Sequence, residues 1–159
     1  MTGYPKSKIN YENIDRNQIS SHPLYQIAGY GIGKLPFGFA KIESKISDLN
    51  ENHLDQCAAK EIGDSHLISM SGLAIKTSKI VKARGNLFII NRSSNHILSQ
   101  EKILKEEFLK WNWDGHLPSK STIERELEEY VSAHKIIVPS QLSKQSFLER
   151  GFSDEKIIV

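Results

Sequence analysis

The sequence predicts an α/β protein, with a doubly wound parallel β-sheet flanked by helices. Short apolar segments alternate with segments of helical periodicity, the pattern of consecutive βαβ units. Glycine or proline ends most of these segments and so marks their limits. The predicted order is one long helix followed by β-α-β-α-α-β-α-β.

The chain is predicted to have two parts, an irregular segment at residues 1–35 and a domain at residues 36–159. Several prolines and glycines interrupt the first part, and no strand or long helix pattern occurs there. A long helix begins at Pro36, where apolar residues start to recur at steps of three and four, and it ends at Gly63.

A βαβ unit follows the long helix, with strands at 66–70 and 86–91. The helix between them is predicted to be capped by Ser71 and ended by Gly85. Two strands joined by a helix pair in parallel. The second strand is continuously apolar, as expected for a strand with helices on both faces.

The rest of the domain adds three helices and two strands. Glycine at 151 and a serine cap at Ser140 bound the last helix. Helices are predicted at 98–110, 121–133 and 141–150, and strands at 135–139 and 155–159. Because such sheets bind ligands beyond the carboxyl ends of their strands, the candidate site loops are 70–72, 91–96 and 139–141.

Composition excludes some classes of function. The chain has 159 residues and a formal net charge of +2, with no dense Lys/Arg block, so a nucleic-acid partner is not expected. Cys57 is the single cysteine, which favours a reducing compartment and a cytoplasmic location. No apolar run is long enough for a transmembrane helix, and the first residues lack the apolar core of a signal peptide.

The loop "NRSSNH" (91–96) holds the most reactive set of side chains. Arg92 offers planar donors for a phosphate or carboxylate, and His96 is a candidate for proton exchange near neutral pH. Ser93 and Ser94 add hydrogen-bonding hydroxyls. An alternative stays equally open, in which this loop is polar only because it caps the next helix.

Ser71 and Gly72 stand where a strand leads into a helix. Backbone N–H groups at a helix N-terminus attract anions, so these residues are candidates for substrate binding. Every βα turn has this property, and a purely structural turn is the alternative.

Three other patterns are interpreted as structural. His53 and Cys57 lie four residues apart on a helix, but no second pair of ligands lies close in sequence, so no metal site is predicted. "GYGIGKLP" (29–36) lacks the spacing of a phosphate-binding loop and is predicted to be a flexible loop. Most of a glutamate cluster is predicted to be a solvated helix face: Glu124, Glu126, Glu128 and Glu129.

Two stretches resemble a known family. "EYVSAHKIIVPS" (129–140) followed by "SFLERGFSDEKIIV" resembles the pattern E-Y-x-x-A-D, an apolar strand, V-P-S and S-F-L-x-x-G. "RSSNH" (92–96) with the helix after it resembles R-[GS]-S-x-H followed by E-E. Both are similar to glycosyltransferase family 4, enzymes of two-domain GT-B architecture. His134 stands where the family pattern has Asp.

The resemblance implies a Rossmann-like N-terminal domain of a retaining, hexosyltransferase-like enzyme. Its partners would be a nucleotide-sugar donor and a sugar or lipid-linked acceptor, with no cofactor and no metal. His96 would be the catalytic residue, and Arg92, Ser93, Ser94, Ser71 and Gly72 would bind substrate. A peripheral membrane contact, and a partner chain or domain that completes the cleft, are also implied.

The resemblance also implies an incomplete domain. A first strand would precede "TGYPK" (2–6), and a donor-binding domain would follow Val159. We therefore expect this chain to be inactive alone. The alternative is a stand-alone Rossmann-like module that binds ligands or pairs with a separate donor-binding chain.

Overall fold

A computed structural model describes residues 5–10, 15–23 and 40–159, with side chains described from residue 45 onward in the last range. The chain separates into two compact units, Met1–Glu61 and Ile62–Val159. The division falls after the long helix, and the predicted boundary between residues 35 and 36 lies outside the described residues.

The first unit contains helix α1, Ala40–Glu61, and two 3₁₀ turns, Lys6–Lys8 and Arg16–Gln18. The predicted helix is therefore confirmed over its described part. The predicted helix start at Pro36 and the predicted loop at 29–36 lie outside the described residues.

The second unit is built on a four-stranded parallel sheet in the order β1-β2-β3-β4. The α/β class with a parallel sheet and flanking helices is confirmed. Its strands are β1 (Leu67–Met70), β2 (Phe88–Asn91), β3 (Lys135–Ile137) and β4 (Ile157–Ile158).

The helices of the second unit lie within a few residues of their predicted positions. Gly85 (φ 76°) and Gly151 (φ 84°) follow the helices they were predicted to end, in a left-handed conformation that suits glycine. Ser140 caps the last helix as predicted, accepting a hydrogen bond from the Ser143 N–H at 3.1 Å. The helices are α2 (Ile75–Ala83), α3 (Ile97–Lys110), α4 (Lys120–Ser132) and α5 (Gln141–Leu148).

The prediction that Ser71 caps α2 is wrong. The helix begins later, and Ala74 is its N-cap residue, without a side-chain hydrogen bond. A carboxylate from another helix instead binds the N–H groups of Gly72 and Ala74, just before this helix, as described below.

The core of the second unit lies on one face of the sheet. Inward residues of the strands pack there against Ile97, Tyr130 and Phe147 from α3, α4 and α5. Because the strand order does not reverse among the described strands and crossovers keep one hand, the connecting helices fall on the same face. On the other face, Ile68 is 64% and Met70 46% exposed, so the second unit does not itself provide the helical cover expected on both faces.

The residues that the structure describes contain no helix that is both long and apolar enough to cross a membrane.

Candidate functional site

The loops after β1, β2 and β3 meet at the carboxyl edge of the sheet. The Ser71 N–H donates to the carbonyl of Asn91 at 3.3 Å, and the Arg92 N–H donates to the carbonyl of Ile137 at 2.8 Å. The structure thus brings together the loops that the sequence selected, as a parallel sheet requires.

Arg92 lies in the centre of this edge and is only 7% exposed. Its guanidinium forms a 2.9 Å ion pair with Glu126 and donates to Ser71 Oγ at 3.1 Å. It also donates to the Asn95 carbonyl at 3.0 Å and to the side chain of Gln100. The donors expected to hold a substrate charge therefore bind groups of the protein itself.

Glu126 joins Arg92 to the aromatic core. Its carboxylate accepts a hydrogen bond from the Tyr130 hydroxyl as well as from Arg92. Burial, and next the negative charge of Glu126, raise the pKa of Tyr130 far above its ordinary value. Tyr130 is therefore protonated at all ordinary pH values and acts as a hydrogen-bond donor.

Glu129 occupies the anion-binding position at the N-terminus of α2. Its two carboxylate oxygens accept hydrogen bonds from the Gly72 N–H at 2.5 Å and the Ala74 N–H at 2.6 Å. Gly72 has φ 87°, and Arg125 donates to its carbonyl at 3.1 Å. The turn binds an anion, as its position suggested, but the anion is a buried carboxylate of the same chain.

The prediction that the glutamate cluster is a solvated face is wrong for two of its members. Glu124 and Glu128 are exposed and pair with surface lysines. Glu126 is 4% exposed and Glu129 is fully buried. Their partners come from loops far away in sequence, so local helical periodicity gave no sign of them.

His96 caps α3. Its Nδ1 accepts a hydrogen bond from the Leu98 N–H at 3.3 Å, and its own N–H donates to Ser146 Oγ at 2.8 Å. The ring lies 5.1 Å from Tyr130 and 5.0 Å from Phe147, measured between ring centroids. The structure thus gives the 91–96 loop the capping role that had stayed open as an alternative.

Burial also fixes the charge of His96. The side chain is 1% exposed, and this burial, followed by the positive charges of Arg150 and Arg92, lowers its pKa from 6.5 to about 4. The ring is therefore neutral near pH 7 and does not face solvent. Its catalytic role stays a prediction, and contact with a substrate would require the ring to become exposed.

The accessible polar groups at this edge lie on the solvent side of the buried ones. Ser93 and Asn91 are exposed, while Ser94, Ser71 and Ser140 are half-buried. We call these five residues the open edge. Of the predicted substrate-binding residues, Ser71, Ser93 and Ser94 belong to it, whereas Arg92 and Gly72 are buried beneath it.

His134, at the position where the family pattern has Asp, has a structural contact. Its Nδ1 accepts a hydrogen bond from the Phe88 N–H at 2.9 Å, and its own N–H donates to the Phe88 carbonyl at 2.8 Å. The residue therefore holds the start of β2 against β3, a role that its sequence position did not reveal.

No family model, no curated protein and no solved structure matches this chain. Function is therefore inferred from the residues at the carboxyl edge and from the motifs they contain.

Proposed function

We propose that the second unit is the acceptor-side domain of a retaining, nucleotide-sugar-dependent glycosyltransferase of the family 4 type. One observation supports this most: the motif stretches that resemble the family all converge on His96. Tyr130 of E-Y and Phe147 of S-F-L contact its ring, and Ser146 accepts its N–H. Stretches that resemble one family and are distant in sequence form a single contact cluster here.

In this proposal the buried groups organise the edge, and the accessible groups bind the acceptor. Arg92 and Glu126 hold the loop after β2, and Glu129 holds the loop after β1. Serine and asparagine side chains of the open edge can both donate to and accept from sugar hydroxyls. The acceptor would then lie across Ser93, Ser94 and Asn91, which the structure leaves accessible.

Transfer itself would take place in a cleft between this edge and a donor-binding domain or chain. The acceptor hydroxyl oxygen would bond to the anomeric carbon of the nucleotide sugar with retained configuration, while the bond from that carbon to the donor phosphate breaks. The nucleotide would leave with its phosphate oxygen, which takes up the hydroxyl proton. Holding both reactants in one closed cleft supplies the proximity that such a step needs. The second unit would contribute orientation of the acceptor and a neutral, capping His96 that fixes the 92–96 loop.

A second candidate is a stand-alone module that pairs with a separate donor-binding chain. The exposed apolar face supports it, because Ile68 and Met70 lie on β1, at the end of the described strand order. An edge strand with apolar side chains is suited to pairing with another chain.

An amide NMR titration tests the first proposal. We expect sugar acceptors, alone or lipid-linked, to shift the amides of residues 71–72 and 91–95 in the ¹⁵N-labelled chain. A variant with Ser93→Ala and Ser94→Ala should bind the same acceptor at least about tenfold more weakly, because two hydrogen bonds are lost. The matched control is Ser153→Ala, an exposed serine outside the open edge.

Absence of carbohydrate-induced shifts at these amides would overturn the acceptor-side proposal. Shifts that occur equally in the double serine variant would also overturn it. Capture of a nucleotide-sugar-binding chain by the wild-type protein, without carbohydrate binding at the open edge, would support the second candidate instead.

A further inference from the structure

Three metal-ligating side chains lie together in the first unit: His22, His53 and Cys57. Their ligand atoms all lie within 4.8 Å of one another. His53 and Cys57 are one turn apart on the same side of α1, because residues four apart on a helix are neighbours. His22 comes from the separate segment at residues 15–23.

We propose that these three residues form a zinc site, which we call the His–His–Cys site. Thiolate sulfur and imidazole nitrogen are the ligands that Zn²⁺ prefers, in tetrahedral geometry. Bond lengths of about 2.3 Å to sulfur and about 2.05 Å to nitrogen, at a tetrahedral angle, separate the two ligand atoms by about 3.6 Å. The distance between Cys57 Sγ and His53 Nε2 is 3.6 Å.

His22 has the neighbours that orient a metal-binding histidine. Its Nε2 lies 3.0 Å from Glu61 Oε1 and 2.9 Å from Ser20 Oγ. Because an ionised carboxylate only accepts hydrogen bonds, Nε2 carries the proton in this contact, and Nδ1 keeps the lone pair that can bind an ion. A carboxylate that holds the second nitrogen of a ligating histidine is a recurrent feature of zinc sites.

The burial of the three residues suits an exchangeable ion. All of them are half-buried, so the ion can enter from solvent while the surroundings remain partly dry. Three protein ligands leave the fourth tetrahedral position to water or to another ligand. The ion would bind residues 15–23 to the C-terminal half of α1, adding to the His22–Glu61 contact.

The sequence alone does not indicate this site, because the third ligand is distant. His53 and Cys57 have no further ligand close to them in sequence, and His22 precedes His53 by 31 residues. The proposal therefore departs from the expectation of no metal, and the reason is the folded position of the 15–23 segment.

Cobalt binding to the full chain tests the proposal. We expect one Co²⁺ per chain, the d–d bands of tetrahedral cobalt and a sulfur-to-cobalt charge-transfer band, with Zn²⁺ displacing the cobalt stoichiometrically. Cys57→Ser should abolish the charge-transfer band. His22→Gln and His53→Gln should each weaken affinity by more than about 100-fold, and Glu61→Gln, which keeps all three ligands, by about tenfold.

The control is His116→Gln, which removes an exposed histidine of the second unit and should leave the affinity unchanged. Far-UV circular dichroism of each variant separates loss of the site from loss of the fold. An octahedral cobalt spectrum, a charge-transfer band that persists in Cys57→Ser, or equal affinity of wild type and His22→Gln would each overturn the proposal.

Alkylation gives a second measurement that does not depend on cobalt. The chain has one cysteine, so iodoacetamide adds a single mass increment at Cys57. Saturating Zn²⁺ should slow this reaction at least about tenfold in the wild type, because the bound sulfur is no longer a free nucleophile, and should not slow it in His53→Gln. Equal protection of both proteins would contradict the His–His–Cys site.

Discussion

The buried network of the second unit and the His–His–Cys site of the first unit both gather chemically capable side chains, but their composition differs. The network pairs donors with acceptors: Arg92 with Glu126, Tyr130 with Glu126, and Glu129 with backbone N–H groups. In the His–His–Cys site, each of the three side chains can instead offer one electron pair to a cation. A cation completes such a set, whereas the network is complete without a ligand.

The comparison teaches that reactive residues whose charges are already paired within the chain do not by themselves indicate a ligand site. Arg92 and the turn at Gly72 had the features of an anion site in the sequence, yet each holds a carboxylate of the same chain. In the second unit the accessible polar groups are therefore the neutral ones that lie above the network.

The largest expected effect comes from removing the cation of the network. Arg92→Met leaves the Glu126 carboxylate buried without its ion pair, and we expect a loss of about 3–5 kcal/mol in the free energy of unfolding. Urea unfolding followed by far-UV circular dichroism measures it.

The double variant Arg92→Met with Glu126→Gln sharpens this test. It removes both charges while the amide oxygen can still accept from Tyr130, so its loss should be smaller than the sum of the two single losses. A loss below about 1 kcal/mol in Arg92→Met would show that the network does not hold the second unit together.

The pH dependence of stability tests the buried state of His96. The unfolded chain takes up a proton near pH 6.5 and the folded chain only near pH 4, so the stabilisation is complete above pH 6.5 and is lost as the pH falls toward 4. Between pH 7 and pH 4 the contribution is roughly 3 kcal/mol. His96→Asn, which can still cap α3, should lose correspondingly less stability over this range than the wild type. If the stabilities of the two proteins change in parallel with pH, His96 is not buried in its neutral form.

A smaller effect is expected at the N-terminus of α2. In Glu129→Gln, one side-chain oxygen can still accept a hydrogen bond, but the NH₂ group that replaces the other oxygen faces a backbone N–H. We therefore expect a loss of about 2 kcal/mol in the free energy of unfolding. The matched control is Glu128→Gln on the same helix, an exposed residue paired with Lys79, which should change stability by less than about 0.5 kcal/mol. Equal losses in thermal unfolding of the two variants would remove the special role of Glu129.

The smallest effect is expected at Ser71, where the buried network borders the open edge. Ser71→Ala loses the hydroxyl that accepts from Arg92, and we expect a loss of about 1 kcal/mol in the free energy of unfolding. Ser93→Ala at the exposed part of the open edge should stay within about 0.5 kcal/mol. If urea unfolding shows a larger loss for Ser93→Ala than for Ser71→Ala, the division between network and open edge is misplaced.

Much of the fold could be predicted because local patterns determine it. Alternation of apolar and helical segments gave the four strands and the helices of the second unit, and Gly85 and Ser140 marked helix ends correctly. The starting residue of α2 could not be predicted, because its N-terminus is held by Glu129 rather than by a local cap. Within residues 62–159, one face of the sheet also carries less helical cover than the continuously apolar β2 suggested.

The site was predicted less completely, for a related reason. The sequence selected loops that meet at one edge of the sheet and singled out Arg92 and His96, but not their partners. Arg92 meets Glu126 across 34 residues, and Gly72 meets Glu129 across 57. No local periodicity records a contact over such distances, and a glutamate-rich helix has the same composition whether or not two of its carboxylates are buried.

The order of the strands also has a consequence for how the second unit assembles. The register pairs Leu67 with Phe88 and Ile136 with Ile157, each 21 residues apart, but Ile89 with Lys135, 46 residues apart. For flexible connections, closing the longer one costs about 0.7 kcal/mol more chain entropy. Each βαβ half can therefore form locally during synthesis, and the joining of the halves is the late step. Glu126 and Glu129 lie on α4, in the connection between the halves. Their bonds to Arg92, Gly72 and Ala74 hold that connection against the first half, so the network closes only after the connection has folded back.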